Sequence, residues 1–206
     1  MFPFPFSFLG SVVPDIPVEQ IANAEAMSFN GTDQYVGFPD ISLSGEFTLS
    51  FWMNPDAFNG VIIGDDISHD WLRINSSTVI DLDLANNKTT WTSGVTFTTG
   101  EWQHVVLRRD SSNVCTIFRN GVHYTNNSPT KGGTFGPLNK IGQKADVNYY
   151  DGKLDEVAIF NKALSGPKIQ QIYDATAVVD GVPQTANLFT GGLDSSLVYW
   201  NRMGDS

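Results

Sequence analysis

The sequence is short of several things, and each shortage excludes something. Cys115 is the single cysteine among 206 residues, which leaves out a disulfide framework and any zinc site built on cysteines. Its plain reading is a small apolar residue in a strand. Basic residues are scarce: 12 Lys and Arg against 22 Asp and Glu give a formal charge of −10. Without a basic field, neither a nucleic-acid backbone nor an anionic membrane surface is an expected partner. No run approaches the roughly 18 apolar residues of a membrane span. His69, His104 and His123 are far apart and lack metal-ligand spacing; His104, in EWQHVVL, reads as a partly buried, hydrogen-bonded strand residue. The chain also has no G-x-S-x-G elbow, no G-x-x-x-x-G-K-[ST] phosphate loop and no H-E-x-x-H zinc helix.

What is present is a core and a run of strands. A hydrophobic content of 41% in 206 residues supports one full core rather than two complete domains. Residues 1–25 hold four prolines and a cluster of Phe without a period of 2 or 3.6. Their opening, MFPFPFSFLGSVVP, has no Lys or Arg and is interrupted by Pro3, Pro5 and Pro14. It therefore reads as an extended arm kept in the mature protein, not as a secretion signal. From 26 to about 160, short strands alternate with Gly, Asn, Asp and Pro, the pattern of an all-β sandwich or barrel. In FTLSFWMNP, Phe47, Leu49, Phe51 and Met53 share one face and Thr48, Ser50 and Trp52 the other. Asn120-Gly121 sits between two β-rich runs as a tight hairpin turn. Helical spacing is confined to LSGPKIQQIYDA, with Ser165 as cap, Pro167 in the first turn and Ile169, Ile172 and Tyr173 on one face. Residues 176–206 read as a tail ending in the aromatic run LVYWNRMGDS.

The segments SFNGTDQYVGFP, GEFTLSFWMNP, TTGEWQHVVLRRD, CTIFRNGVHY and DGKLDEVAIFNKALSGPKIQQIY, in this order, resemble the laminin-G-like branch of the concanavalin A-like jelly rolls. The resemblance covers residues 26–175 and implies an antiparallel all-β sandwich with one short helix, flanked by extended arms at 1–25 and 176–206. It also implies one calcium ion where an early Asp-bearing loop meets the late Asp-Glu strand, which makes Asp33, Asp151 and Asp155 the candidate ligands. The jelly-roll glucanases share the fold but carry glutamates on both sides of an aspartate on their catalytic strand. In IDLDL, Asp81 and Asp83 share a face, yet no Glu lies between Glu46 and Glu101, so the expected function is not catalytic.

Two binding readings follow. Carbohydrate sites combine an exposed aromatic face with nearby Asp, Asn and backbone groups. Trp52 and Trp102 lie in strand motifs and are assigned to the core, which leaves Trp71, Trp91, Tyr149 and Tyr150 in polar connections as sugar platforms. The second reading comes from the ends. Phe2, Phe4, Phe6, Phe8, Tyr199 and Trp200 are costly to leave in water and imply contact with the same chain, a second copy or another protein. LVYWNRMGDS also looks like runs found beside laminin-G-like domains in virion proteins of tailed phages. The sequence thus favours a virion accessory protein, on capsid or tail, held by its arms and displaying the sandwich to host-surface glycans. The alternative is a calcium-dependent carbohydrate-binding module of a bacterial surface or secreted protein.

Overall fold

In the computed structural model, residues 16–67, 69–179 and 182–205 are described. The expected assembly contacts Phe2, Phe4, Phe6 and Phe8 lie outside them. In chain order the strands are β1 (Gln20–Ala22), β2 (Met27–Asn30), β3 (Val36–Ser44), β4 (Phe47–Pro55), β5 (Val61–Gly64), β6 (Trp71–Ile74), β7 (Ile80–Asp83) and β8 (Lys88–Trp91). They continue with β9 (Gln103–Arg109), β10 (Cys115–Arg119), β11 (Val122–Tyr124), β12 (Thr134–Ile141), β13 (Asp151–Phe160), β14 (Ala177–Val179), β15 (Val182–Ala186) and β16 (Leu197–Asn201). One α-helix, α1 (Gly166–Asp174), follows β13, and a short 3-10 turn precedes β16.

The strands form two large antiparallel sheets and a small one. One runs β11-β10-β9-β4-β13-β16, with β2 also on β13; the second runs β3-β12-β5-β6-β7-β8; the third is β1-β15-β14. The pattern of β4 shows why. Phe47, Leu49, Phe51 and Met53 are all no more than 2% exposed and enter the core between the two large sheets. Thr48, Ser50 and Trp52 point to the other side, as a period of 2 requires. That side is not open solvent. Val106, Phe118, Ala158 and Phe160 of the same sheet form a second apolar cluster with Ile169 and Ile172 of α1 and with Ala186 and Leu188. Thr48 fastens this layer: its hydroxyl donates to Lys162 O (2.8 Å) and accepts from Leu164 N (3.0 Å). The seven-stranded sheet is therefore buried on both faces, and the jelly-roll-like sandwich carries a third, partial layer.

Local signals place the turns and the helix as expected. Asn120 and Gly121 both take positive φ (50° and 77°) and close the β10–β11 hairpin. Ser165 caps α1 through Lys168 N (3.4 Å), and Ile169 and Ile172 are its buried face.

The expected arms are where the structure departs from the sequence reading. Residues 176–206 are not a tail, because β16 pairs with Val157–Phe160 of β13 and extends the main sheet. Gln20–Ala22 pairs with Gln184–Ala186 and builds the small sheet. Tyr199 stacks on Phe38 at 4.6 Å, and Trp200 donates to Glu156 from its indole nitrogen (2.5 Å). Both rings assigned to assembly thus serve their own sandwich; short strands of three to five residues at the ends gave no periodic signal strong enough to show this.

Arg109 closes one end of the core. It is 0% exposed, lies over the Phe47 ring (4.7 Å) and donates only to backbone carbonyls, those of Leu43, Gly45, Lys131 and Gly133. Arg109→Met would keep the stem and remove the donor from four carbonyls, those of Leu43 and Lys131 in buried bonds and those of Gly45 and Gly133 in partly buried ones. It should destabilise the fold by at least about 3 kcal/mol, read as a fall of about 6–12 °C in melting temperature; a shift below about 2 °C would show that water replaces the guanidinium.

Candidate functional site

The site forms where β13 breaks its ladder. Asp155 pairs with Trp52, but the next partners on β4 are Ala158 and Ser50, so β13 carries one residue more than its neighbour. The extra residue is Glu156, held at φ +51°. This bulge lets two consecutive acidic residues, each 5% exposed, turn to the same outer side. They turn to different partners. Asp155 accepts from Asn23 Nδ2 (2.9 Å), ahead of β2, and from Glu156 N (2.8 Å). Glu156 accepts from Trp200 Nε1 and from Arg202 Nε (3.3 Å), at the end of β16. Arg202 reaches on to Ala22 O, and Asp205 accepts from Ala24 N (3.0 Å). The two ends of the described chain are thereby tied to one point on the main sheet.

This tie leaves a groove of about 660 Å³ between the sheet and the small β1-β15-β14 layer, lined among others by Asn23, Glu25, Trp52, Trp102, Asp155 and Gln184. Its size falls within the roughly 300–1,000 Å³ of small-molecule sites. Trp102, in the turn before β9, is 40% exposed. The turn is fixed by Gln103, fully buried, which donates to Thr98 O (2.7 Å) and accepts from Thr98 N and Arg119 Nε. Trp52 is partly exposed and is held from behind by His104 (5.2 Å between rings) and by Tyr173 of α1 (6.0 Å, stacked). His104 is buried and hydrogen-bonded to Ser50 Oγ at 2.8 Å, as the sequence suggested. Burial lowers its pKa to about 3, so it is a neutral wedge that fixes Trp52. The groove thus offers two indoles with an Asp and an Asn between sheet and wall, all on elements held rigidly.

The residues expected to hold sugar are mostly elsewhere. Trp91 (5% exposed) and Tyr150 (2%) are members of the main core. Trp71 is 3% exposed on the outer face of the six-stranded sheet, where Lys144 (3.9 Å), Arg73 (5.1 Å) and Lys88 (5.6 Å) cover its ring. These three side chains therefore correct the expectation of open platforms, while Tyr149 is partly exposed but does not line the groove. Trp102 corrects it in the other direction: its strand motif suggested core, yet the ring sits one residue before the strand, outside the alternation.

The three expected calcium ligands do not meet. Gly31, at φ +69°, brings its turn against Asp151, with room for a Cβ only 3.0 Å from the Asp151 Cβ, and Asp33 lies in the same turn, bonded to Asn30 Nδ2 (2.8 Å). Asp155 is four residues along β13, about 13 Å away at strand rise. No group of three or more His, Cys, Asp or Glu among the described residues is placed to hold a metal ion. The set Asp33, Asp151 and Asp155 therefore does not fit a calcium ion. Asp81 and Asp83 do share a face, but Asp81 is taken by Arg73 (2.7 Å), Lys88 (3.2 Å) and Thr90 (2.5 Å).

Burial pushes Asp155 up to about 6, with the Asn23 bond opposing it. Burial also pushes Glu156 up to about 7, and the neighbouring Asp155 charge adds to this against the donors Trp200 and Arg202. A carboxyl with a raised folded pKa binds its proton more tightly in the native state, so its stabilising effect is full at low pH and is lost as pH rises from the unfolded value, about 4.5, through about 7. His104 opposes this over part of the same range, because burial lowers its pKa from 6.5 to about 3. The difference between wild type and Glu156→Gln isolates the carboxylate. Melting temperatures should shift in favour of the variant as pH is raised from 4.5 to 8; a difference that stays constant with pH would show that Glu156 ionises normally.

Comparison with known proteins gives the frame for this geometry. The sequence profile of Laminin_G_3, described as the concanavalin A-like lectin/glucanases superfamily, matches residues 30–170. No curated protein sequence matches the chain. Among solved structures, domain 4 of the GH43 extracellular arabinanase AbnA from Geobacillus stearothermophilus, in complex with arabinotriose, is similar with a TM-score of 0.56 and 18% identity, over 70% of this chain and 74% of that one. A putative carbohydrate binding protein from Bacteroides ovatus has a TM-score of 0.56 and 16% identity, over 92% of this chain and 61% of that one. The CBM40 of the Ruminococcus gnavus IT-sialidase, bound to α2,3-sialyllactose, has a TM-score of 0.52 and 11% identity, over 76% and 98%. At these identities the structures share the fold. The profile match spans more than half of the chain, and the protein belongs to the Laminin_G_3 family of the concanavalin A-like lectin/glucanases superfamily.

Proposed function

We propose that this protein is a carbohydrate-binding module whose glycan lies in the groove between Trp52, Trp102 and the β1-β15-β14 layer. The observation that carries the reading is Trp102, a large ring left 40% exposed on a fixed turn beside a second indole and the Asp155–Asn23 pair. An indole face matches the apolar face of a sugar ring, and carboxylate and amide groups match its hydroxyls. Similar folds solved with arabinotriose and sialyllactose support it. In this reading the module acts by binding: of the two β7 carboxylates, Asp81 is spent on Arg73, Lys88 and Thr90.

The module belongs to a bacterial surface or secreted protein in this reading. Tyr199 and Trp200, two of the contacts that would hold it to a virion or to a second copy, are already packed on its own strands. Of the other grounds for attachment to a tailed-phage particle, Phe2 to Phe8 lie outside the described residues, and the likeness of LVYWNRMGDS falls on the strand that pairs with β13. Calcium has no part in the reading, because Asp155 stands apart from Asp33 and Asp151.

Trp102→Ala should weaken glycan binding by about 1–2 kcal/mol, near tenfold in Kd, with the melting temperature within about 2 °C of wild type. Trp91→Ala should instead cost about 3–5 kcal/mol of stability as a core truncation. Calorimetric titration and melting curves on the two variants check both, and unchanged glycan affinity in Trp102→Ala would remove the groove as the site.

A further inference from the structure

The groove's charge and hydrogen-bonding pattern narrows its ligand class, and this step rests on the groove being the glycan site. Among the described residues that line it, Glu25 and Asp155 are acids and Lys153 is the one cation. Just behind the wall, Glu156 and Asp205 flank Arg202, which pairs with both (3.3 and 3.5 Å). The polar floor is also made of acceptors. Asn23 must present its amide nitrogen to Asp155, since an ionised carboxylate only accepts. That orientation leaves Asn23 Oδ1 as a buried acceptor with no partner in the protein. The Asp155 oxygens, each taking one bond from Asn23 Nδ2 or Glu156 N, keep lone pairs in reserve. An orphan acceptor beside a carboxylate calls for donors, which water or a ligand must supply.

We infer that the groove selects neutral, hydroxyl-rich oligosaccharides and rejects glycans carrying a carboxylate, such as sialic acids or uronic acids. Sugar hydroxyls donate to the Asp155 carboxylate that lines the groove while the rings lie on the indoles. A sugar carboxylate is an acceptor facing acceptors and an anion facing anions, and Lys153, exposed on β13, is a single flexible counter-charge. Rejection of this kind comes from unpaired groups and like charges, not from any loss of stacking.

A glycan array printed with matched pairs, lactose against 3′-sialyllactose and galactotriose against trigalacturonate, together with arabinotriose and other neutral oligosaccharides, tests the selection; hits are titrated by calorimetry at pH 7.5. Neutral chains should bind at least about tenfold more tightly than their acidic counterparts, and Trp102→Ala should weaken the hits about tenfold in Kd. Asp155→Asn, which keeps the shape and removes the charge, should narrow that ratio by strengthening the acidic probes. Glu25→Gln makes the same change on an exposed residue away from the bulge, so the test survives if Asp155→Asn fails to fold. Acidic probes that bind as tightly as neutral ones and are weakened in Trp102→Ala would overturn the selection and leave the groove as the site. A ratio unmoved in both charge variants would overturn the role given to the carboxylates. Binding that ignores Trp102 for every probe would remove the site itself.

Discussion

A guanidinium with no carboxylate partner organises one end of this sandwich. Arg109, at the end of β9, is fully buried and donates to the carbonyls of Leu43, Gly45, Lys131 and Gly133. These belong to the β3–β4 turn and to the approach to β12, so one side chain joins the seven-stranded sheet to the edge of the six-stranded one. Burial lowers its pKa, yet a guanidinium stays charged over any working pH. A buried cation is tolerated only when its donors are used, and here the planar fork supplies several in fixed directions. Phe47 beneath it and Phe135, stacked on Phe47 at 5.4 Å, carry the contact into the core. The order is electrostatic first and apolar second: the carbonyls fix the loops, and the loops hold the rings in place.

The outer face of the same sheet is organised by the bulge in the middle of β13. Had Glu156 been absent, β13 would stay in register with β4 and a single carboxylate would face the outer layer. The extra residue costs about 1–2 kcal/mol of backbone strain at its positive φ, and it gives each end of the chain its own acceptor. Asp155 takes the N-terminal side through Asn23, and Glu156 takes the C-terminal side through Trp200 and Arg202. The small sheet is held against the main one by these bonds and by the apolar contacts of Ala186, Leu188 and Leu193 with Phe160 and α1. Asp155 therefore both anchors the wall and lines the groove that the wall creates.

The sandwich was legible in the sequence because alternation is a strong signal where one face meets a core. Phe47, Leu49, Phe51 and Met53, the Asn120-Gly121 turn and the Ser165 cap all stand where local rules put them. The site was less legible, for a physical reason in each case. Trp91 and Tyr150 lie in polar-looking stretches, but their strand or strand edge turns them inward, and sequence neighbours do not report which way a ring turns. Trp71 is hidden by cations from β6, β8 and the segment after β12, which only the sheet order brings together. Trp102 was assigned to the core for its place in a strand motif, although β9 begins one residue later. Asp155 was expected beside Asp33 and Asp151 at a calcium ion; the use of Asp155 and Glu156 as two anchors required a bulge, and a bulge has no signature in one sequence beyond the pair itself.

The family match ends where the groove begins to be specific. Residues 30–170 contain Trp52, Trp102 and Asp155, so the floor and both indoles lie within the matched frame. Asn23, Glu25, Gln184 and the Arg202–Asp205 hook lie outside it and form the facing wall. A sandwich of this kind leaves many loops and edges free, and a ligand site is fixed by whatever is laid across one of them. Here the covering pieces are the segments that the sequence presents as arms. The flanking wall adds Asn23, Glu25 and Gln184 to the groove, while the matched frame supplies Trp52, Trp102, Lys153 and Asp155.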